Sequence, residues 1–113
     1  MRAPSVRSFA LSLPEAEERE TWGEATFRVR NKIFMMMGAD GKRASVKSTH
    51  DEQAALLAGD PETFFRPEYV GVHGWVGVVV ARADPQEMRE LVTEAWRLTA
   101  PKRLLAAFDE AEG

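Results

Sequence analysis

The sequence predicts an α+β fold, an antiparallel β-sheet backed by helices at the N- and C-terminal ends of the chain, and three observations predict it. Between Ala25 and Ser48, apolar and polar residues alternate in short runs separated by turn residues, which is the period of half-buried strands. The run WVGVVVAR, Trp75 to Arg82, is rich in β-branched residues, which suit a pleated surface. After it, Met88, Leu91, Val92, Ala95 and Trp96 recur on one helical face. Strands joined by short turns, with helices before and after them, make an antiparallel sheet with a helical layer rather than a parallel sheet with crossovers.

The elements follow in order. Val6, Phe9, Ala10 and Leu13 form one stripe of a short first helix, and Pro14 ends it because the residue before a proline is driven out of the helical region. The acidic stretch Glu15 to Glu20 leads to Trp22-Gly23 and then to a strand, Ala25 to Arg30, in which Phe27 and Val29 alternate with Arg28 and Arg30. Asn31-Lys32 turns the chain into Ile33 to Met37, and Asp40-Gly41 turns it again into Arg43 to Ser48, completing a three-stranded meander. Thr49 to Asp51 offer N-caps for a second helix through Ala54 to Ala58, stopped by Gly59. Arg66 to Val72 is expected to enter a strand and His73-Gly74 to turn it into the strand Trp75 to Arg82, a C-terminal hairpin. Asp84 caps the next helix with Pro85 at its first position. Pro101 breaks that helix, and Lys102 to Glu110 resume as a terminal one.

Bulk properties fit one domain over residues 1–113. At 44% hydrophobic and 29% charged, a 113-residue chain is large enough to bury a core without disulfides or metals. With no cysteine it has no disulfide, no thiolate zinc site and no cysteine nucleophile. Its longest apolar runs, Ile33 to Met37 and Trp75 to Ala81, fall far short of the roughly 18 residues of a membrane span. The N-terminal stretch turns acidic too soon for a secretory signal, so the expected location is the cytoplasm, away from membranes. A net charge of −3 excludes a globally basic nucleic-acid binder but leaves local patches open.

Catalytic motifs are missing. Neither a GxxxxGK[ST] loop nor a GxGxxG after a strand occurs, and Gly71, Gly74 and Gly77 fit a turn into a strand better than a phosphate cradle. His50 and His73 are the only imidazoles and lack partners at a metal-binding spacing. The serines have no nucleophile-elbow context, and the acids of Glu15 to Glu20 read as a solvated surface. No catalytic residue, metal or cofactor is therefore expected, and the protein reads as non-enzymatic.

Charge and apolar pattern point instead to binding. Arg28, Arg30, Lys32, Lys42, Arg43 and Lys47 crowd one segment that holds a single acid, Asp40, in a chain that is acidic elsewhere. With Arg28 and Arg30 on the polar side of one strand and Arg43 and Lys47 on that of another, they would form a basic face able to meet phosphates; solvation of exposed strands explains the same charges. Ile33 to Met37 and Trp75 to Ala81 are apolar at consecutive positions, so both of their faces need cover. The C-terminal helix or the Phe64-Phe65 loop would supply it, or else a dimer interface or ligand pocket.

The segments LSLPEAEE, TWGEATFRVRNKIFMMM, FFRPEYVGVHGWVGVVV and ELVTEAWRLTAPKRLLAAF together resemble the MmcQ/YjbR-like family of small bacterial proteins across nearly the whole chain. The resemblance implies an α+β fold with an antiparallel sheet, a double-wing arrangement, and DNA binding by fold analogy. It supplies no catalytic residues, and the acidic tail Asp109 to Gly113 departs from the Lys-rich end common in the family. Trp22, His73 and Trp75 lie in its most recognisable segments and suggest a small aromatic pocket at one end of the sheet, although burial of both indoles as core anchors, with His73 a turn residue, is the favoured reading. The functional expectation is a binding protein that takes DNA on the basic meander. The alternative is a dimeric module that binds protein or a small ligand through the apolar sheet face or that pocket.

Overall fold

The computed structural model describes residues 1–112. Its elements are α1 (Ala3–Ser12), β1 (Ala16–Thr21), β2 (Glu24–Val29), β3 (Lys32–Met37), β4 (Arg43–Val46), α2 (His50–Gly59), β5 (Phe64–Phe65), β6 (Val76–Val79), α3 (Pro85–Thr99) and α4 (Lys102–Glu112). The six strands form one sheet in the order β1-β2-β3-β4-β6-β5, antiparallel at every pairing. The α+β architecture expected from the sequence is the one observed.

Local chemistry sets the element ends. Leu13 is extended, with φ −73° and ψ 147°, as its place before Pro14 requires. Thr49 caps α2 by accepting from the Glu52 N–H at 3.2 Å, and Asp84 caps α3 by accepting from the Glu87 N–H at 3.0 Å, each satisfying an end donor of its helix. The β1–β2 and β2–β3 hairpins close through Trp22-Gly23 and Arg30-Asn31, all four with positive φ. Two successive positive φ values give the turn whose twist matches that of paired strands.

Three expectations need correction. The acidic stretch is itself a strand: β1 carries charges on both faces in AEERET, so no alternation betrays it, and those charges guard a sheet edge against further pairing. Arg66 to Val72 is not a strand. The hairpin partner of β6 is the two-residue β5, and the chain from Arg66 crosses a loop to a 3-10 turn at Val70–His73. Likewise β6 stops at Val79, and Val80–Arg82 form a second 3-10 turn.

One face of the sheet is covered by helices. Val6 and Ala10 of α1, and Met88, Leu91, Val92, Ala95 and Trp96 of α3, bury against Phe27, Val29, Met35, Val46, Val76 and Val78. Trp96 is fully buried; its indole N–H donates to the Pro14 carbonyl at 3.0 Å, and its ring lies 4.9 Å from that of Phe108. Helix α4 joins this layer through Leu104, Leu105 and Phe108, with Arg97 of α3 donating to Asp109 at 2.5 Å. A bulge resolves part of the apolar run in β3. The β2–β3 register shifts, so that Phe27 faces Met35 and Arg28 faces Ile33, and both Phe34 and Met35 become fully buried.

Candidate functional site

The second face of the sheet carries a continuous row across all six strands: Arg19, Thr26, Met36, Ser45, Gly77 and Phe65 stand side by side in register. Alternation places Arg43 and Val79 on the same face toward one end, and Arg28 and Ile33 toward the other. Helix α4 does not cover this face, because it packs on Trp96 in the helical layer. Phe65 covers part of it, over β6: a Cβ on Gly77 would lie 2.3 Å from the Phe65 ring, so glycine is what lets the ring approach the strand this closely. The Arg43 guanidinium carbon stands 4.9 Å over the same ring, a cation–π contact. Met36 and Ser45 stay half-buried.

A groove of about 660 Å³ lies here, with Met36 and Ser45 in its lining beside Arg43, Phe65 and Glu24, and with the loop Arg66 to Val70 beside them. That volume suits a small ligand or a single nucleobase-sized group. The loop's far end is anchored on α2. The buried Gln53 side chain donates to the carbonyls of Gly71 at 2.9 Å and Trp75 at 2.6 Å, and His50 Nε2 lies 2.8 Å from the Val72 carbonyl, where its N–H donates. At the near end Tyr69 has φ 63° and ψ −63°, and the Val70 N–H reaches the Glu68 carbonyl at 2.7 Å. This is a γ-turn of the rare, strained hand. It holds the Tyr69 ring in solvent, 90% exposed.

The six basic residues do not form one cluster. Arg28 lies on the open face, its guanidinium donating to Thr26 Oγ1 at 3.2 Å and Thr21 Oγ1 at 3.1 Å. Arg30 is not on a strand: it occupies the β2–β3 turn with φ 51° and grips Glu15 at 2.5 and 3.1 Å. That hydrogen bond raises the Arg30 pKa and lowers that of Glu15, so the charge is spent on a local pair. Lys32 begins β3 at the same end as Arg30, and Lys47 follows β4 there, whereas Lys42 and Arg43 sit at the opposite end. Other arginines are also paired, Arg7 with Glu18 at 3.0 Å, Arg19 with Glu17 at 3.3 Å, Arg82 with Glu62, and Arg97 with Asp109. Arg28, Arg43, Lys47 and Arg66 form no salt bridge among the described residues.

Trp22, His73 and Trp75 do not share a pocket. Trp22 is 98% exposed at the tip of the β1–β2 hairpin, on the sheet's outer strand. Trp75 is buried just before β6, at the other end of the strands. His73 is exposed in the 3-10 turn of the 66–75 loop. The correction has a physical cause: the two-residue turn gives the indole of Trp22 no neighbour to bury against. Sequence reasoning missed Phe65, Arg66 and Tyr69 as groove residues. The available signals were the proline and glycine bracketing the molecule's single tyrosine in RPEYVG, and a phenylalanine registered opposite a glycine.

Among the described residues no three His, Asp or Glu side chains converge to hold a metal ion, and no helix is long and apolar enough to cross a membrane. A Deinococcus radiodurans protein, DR2400, whose crystal structure contains a domain of the family model DUF419, is similar in fold: TM-score 0.77 at 19% identity, covering 86% of this chain and 77% of that one. Uncharacterized proteins of Mycobacterium tuberculosis and Mycobacterium bovis are 37% identical over 54 residues, 48% of this chain. The match spans 42% of those relatives' length, less than half. The YjbR family model matches residues 11–98, which hold all six strands and all but the last residue of α3, and on that match the chain belongs to the YjbR family.

Proposed function

We propose that this protein is a non-catalytic binding protein that holds DNA on the open face of its sheet. The observation that carries the reading is the gathering of cations without carboxylate partners on and beside this face. Arg28, Arg43, Lys47 and Arg66, on or beside the open face, have no carboxylate partner among the described residues, whereas Arg7, Arg30, Arg82 and Arg97 off it, and Arg19 at its β1 edge, are paired. Unmatched cations on one face are what a phosphate chain neutralises, with release of its counterions. Arginine adds forked donors and a plane that stacks. The working set is thus narrower than the basic segment itself, and Arg30 is outside it.

Fluorescence anisotropy with a labelled 12-nucleotide DNA strand, titrated across a salt series, tests this. Three or four phosphate contacts give log K against log salt a slope of about −2 to −3. The variant Arg28→Glu/Arg43→Glu is expected to lose binding at every salt concentration, and Arg30→Glu to keep it within about twofold. Absence of binding at low salt, or equal affinity of the double variant and wild type, would sink the reading. The half-buried Ile33, Met36 and Val79 on the same face favour a second reading, in which another copy of the chain covers it.

A further inference from the structure

The open face offers more than charge. A groove lined by Arg43, Phe65, Met36 and Tyr69 has two features that phosphate binding leaves unexplained. Arg43 stands over the Phe65 ring with its guanidinium carbon 4.9 Å from the centroid, a cation–π contact that keeps at the groove a planar group of the kind that stacks on bases. Tyr69 is held out by a strained backbone turn at φ 63° and ψ −63° and is 90% exposed. Packing gives no return for that strain, since the ring touches solvent over nearly all its surface. Strain of this kind that the core does not explain collects where a side chain must be presented to a ligand.

From this we infer that the groove takes a single unpaired nucleobase, stacked between the Arg43–Phe65 platform and the Tyr69 ring, so that the DNA held on this face is single-stranded. The inference rests on the reading of the open face as a DNA surface. The chemistry is consistent at each point. A volume of about 660 Å³ has room for an unpaired base. Stacking requires only a π-face, which every base has, so sequence preference is weak. The cations outside the groove, Arg28 and Lys47, follow the backbone of the strand across β2, β3 and β4. Anchoring of the loop by Gln53 and His50 fixes residues 71–75, the far end of the loop that presents Tyr69.

Tyr69 is the molecule's single tyrosine, so protein labelled with 3-fluorotyrosine gives one ¹⁹F resonance. Three probes of equal length are compared by anisotropy and ¹⁹F NMR: a thymidine 12-mer, a 12-mer with abasic sugars throughout, and a 12-base-pair duplex. The thymidine strand is expected to shift the resonance and to bind about tenfold more tightly than the abasic strand, the range set by stacking one base. Tyr69→Ala should remove that tenfold difference and Tyr69→Phe should keep it, with circular dichroism confirming that both variants fold. The duplex should bind no better than the abasic strand. Equal affinity for thymidine and abasic strands with an unmoved ¹⁹F signal overturns the inference while leaving the face as a phosphate-binding surface. Absence of binding by all three probes at low salt overturns both.

Discussion

Phe27, Met35, Val46 and Val76 on one face of the sheet are fully buried beneath the helices, whereas Thr26, Met36, Ser45 and Gly77, each one residue away along the same strands, form the row on the other. The two faces share backbone and hydrogen bonds, and they differ in what lies above them. On the helical face, side-chain volume is matched by α1, α3 and α4, and polar groups are few. On the open face, small and polar residues stand beside cations without carboxylate partners, and the covering segment is a loop with one strained turn. The first arrangement serves stability. The second leaves room and charge for something outside the chain.

Substitutions that weigh the two faces against each other give the largest effect. Trp96 is fully buried with its N–H satisfied by Pro14, so Trp96→Ala is expected to cost about 3–5 kcal/mol. Met36→Glu, on the open face, should cost under about 1 kcal/mol, because its carboxylate reaches solvent in the groove. Urea denaturation of both variants checks the ranking, and similar losses would mean that the open face is a second core. Sedimentation velocity on the same samples separates the binding readings: a wild-type dimer that becomes a monomer in Met36→Glu would place a second copy on this face instead of DNA.

The next effect concerns how the loop is held on the open face. A Cβ on Gly77 meets the Phe65 ring at 2.3–2.5 Å, closer than any packing tolerates, so Gly77→Ala must lift the ring. Overpacking of this kind costs about 1–3 kcal/mol. In a Phe65→Ala background the same change has nothing to displace and should be close to neutral, giving a coupling energy of about 1 kcal/mol or more in a double-mutant cycle. Additivity of the two changes would show that the ring does not depend on the glycine. On the helical face the contact is of another kind, apolar side chain against apolar side chain, and no comparable rescue is expected there.

What the sequence made legible follows the same division. The helical face could be read because burial imposes periodicity: the stripe Met88, Leu91, Val92, Ala95, Trp96, the capping Asp84 and Pro85, and the alternation of Phe27 and Val29 all survive intact. Strand β1 was invisible because an edge strand needs no apolar face, and AEERET has none. The run IFMMM suggested two faces in need of cover; a bulge puts Phe34 and Met35 into one core, and Ile33 and Met36 stay half-buried on the other face. Charge counting gathered six basic residues but not their partners. Arg30 is bound to a glutamate 15 residues earlier, a pairing that depends on a turn no local pattern announces. The groove depends on Gly77 lying beneath Phe65 and on an unusual turn at Tyr69, which are facts of register and backbone torsion. Trp22 stands in one recognisable segment and His73 and Trp75 in another, and the two lie at opposite ends of the sheet, since antiparallel topology sends this hairpin tip and this strand entry to opposite ends.

The smallest effect tests how each layer is fastened at its margin. Arg97 and Asp109 tie α4 to α3, and Arg30 and Glu15 tie the β2–β3 turn to the start of β1. The hydrogen bond from its arginine holds each carboxyl below its ordinary pKa, Asp109 below 3.8 and Glu15 below 4.5, with the arginine's charge adding to the effect and desolvation opposing it. A carboxyl lowered in the folded state binds protons more readily when unfolded. Its contribution is therefore present above the unfolded pKa and lost as pH falls through the folded one. Wild type and Asp109→Asn should thus differ in thermal stability near pH 7 and converge as the solution is acidified below about pH 4, with Glu15→Gln converging over a similar interval. Both pairs are solvent-exposed, so the differences are small and shrink with added salt. No gap between wild type and Asp109→Asn at pH 7 would mean that α4 is held by Leu104, Leu105 and Phe108 alone, and that the helical layer needs no electrostatic fastening.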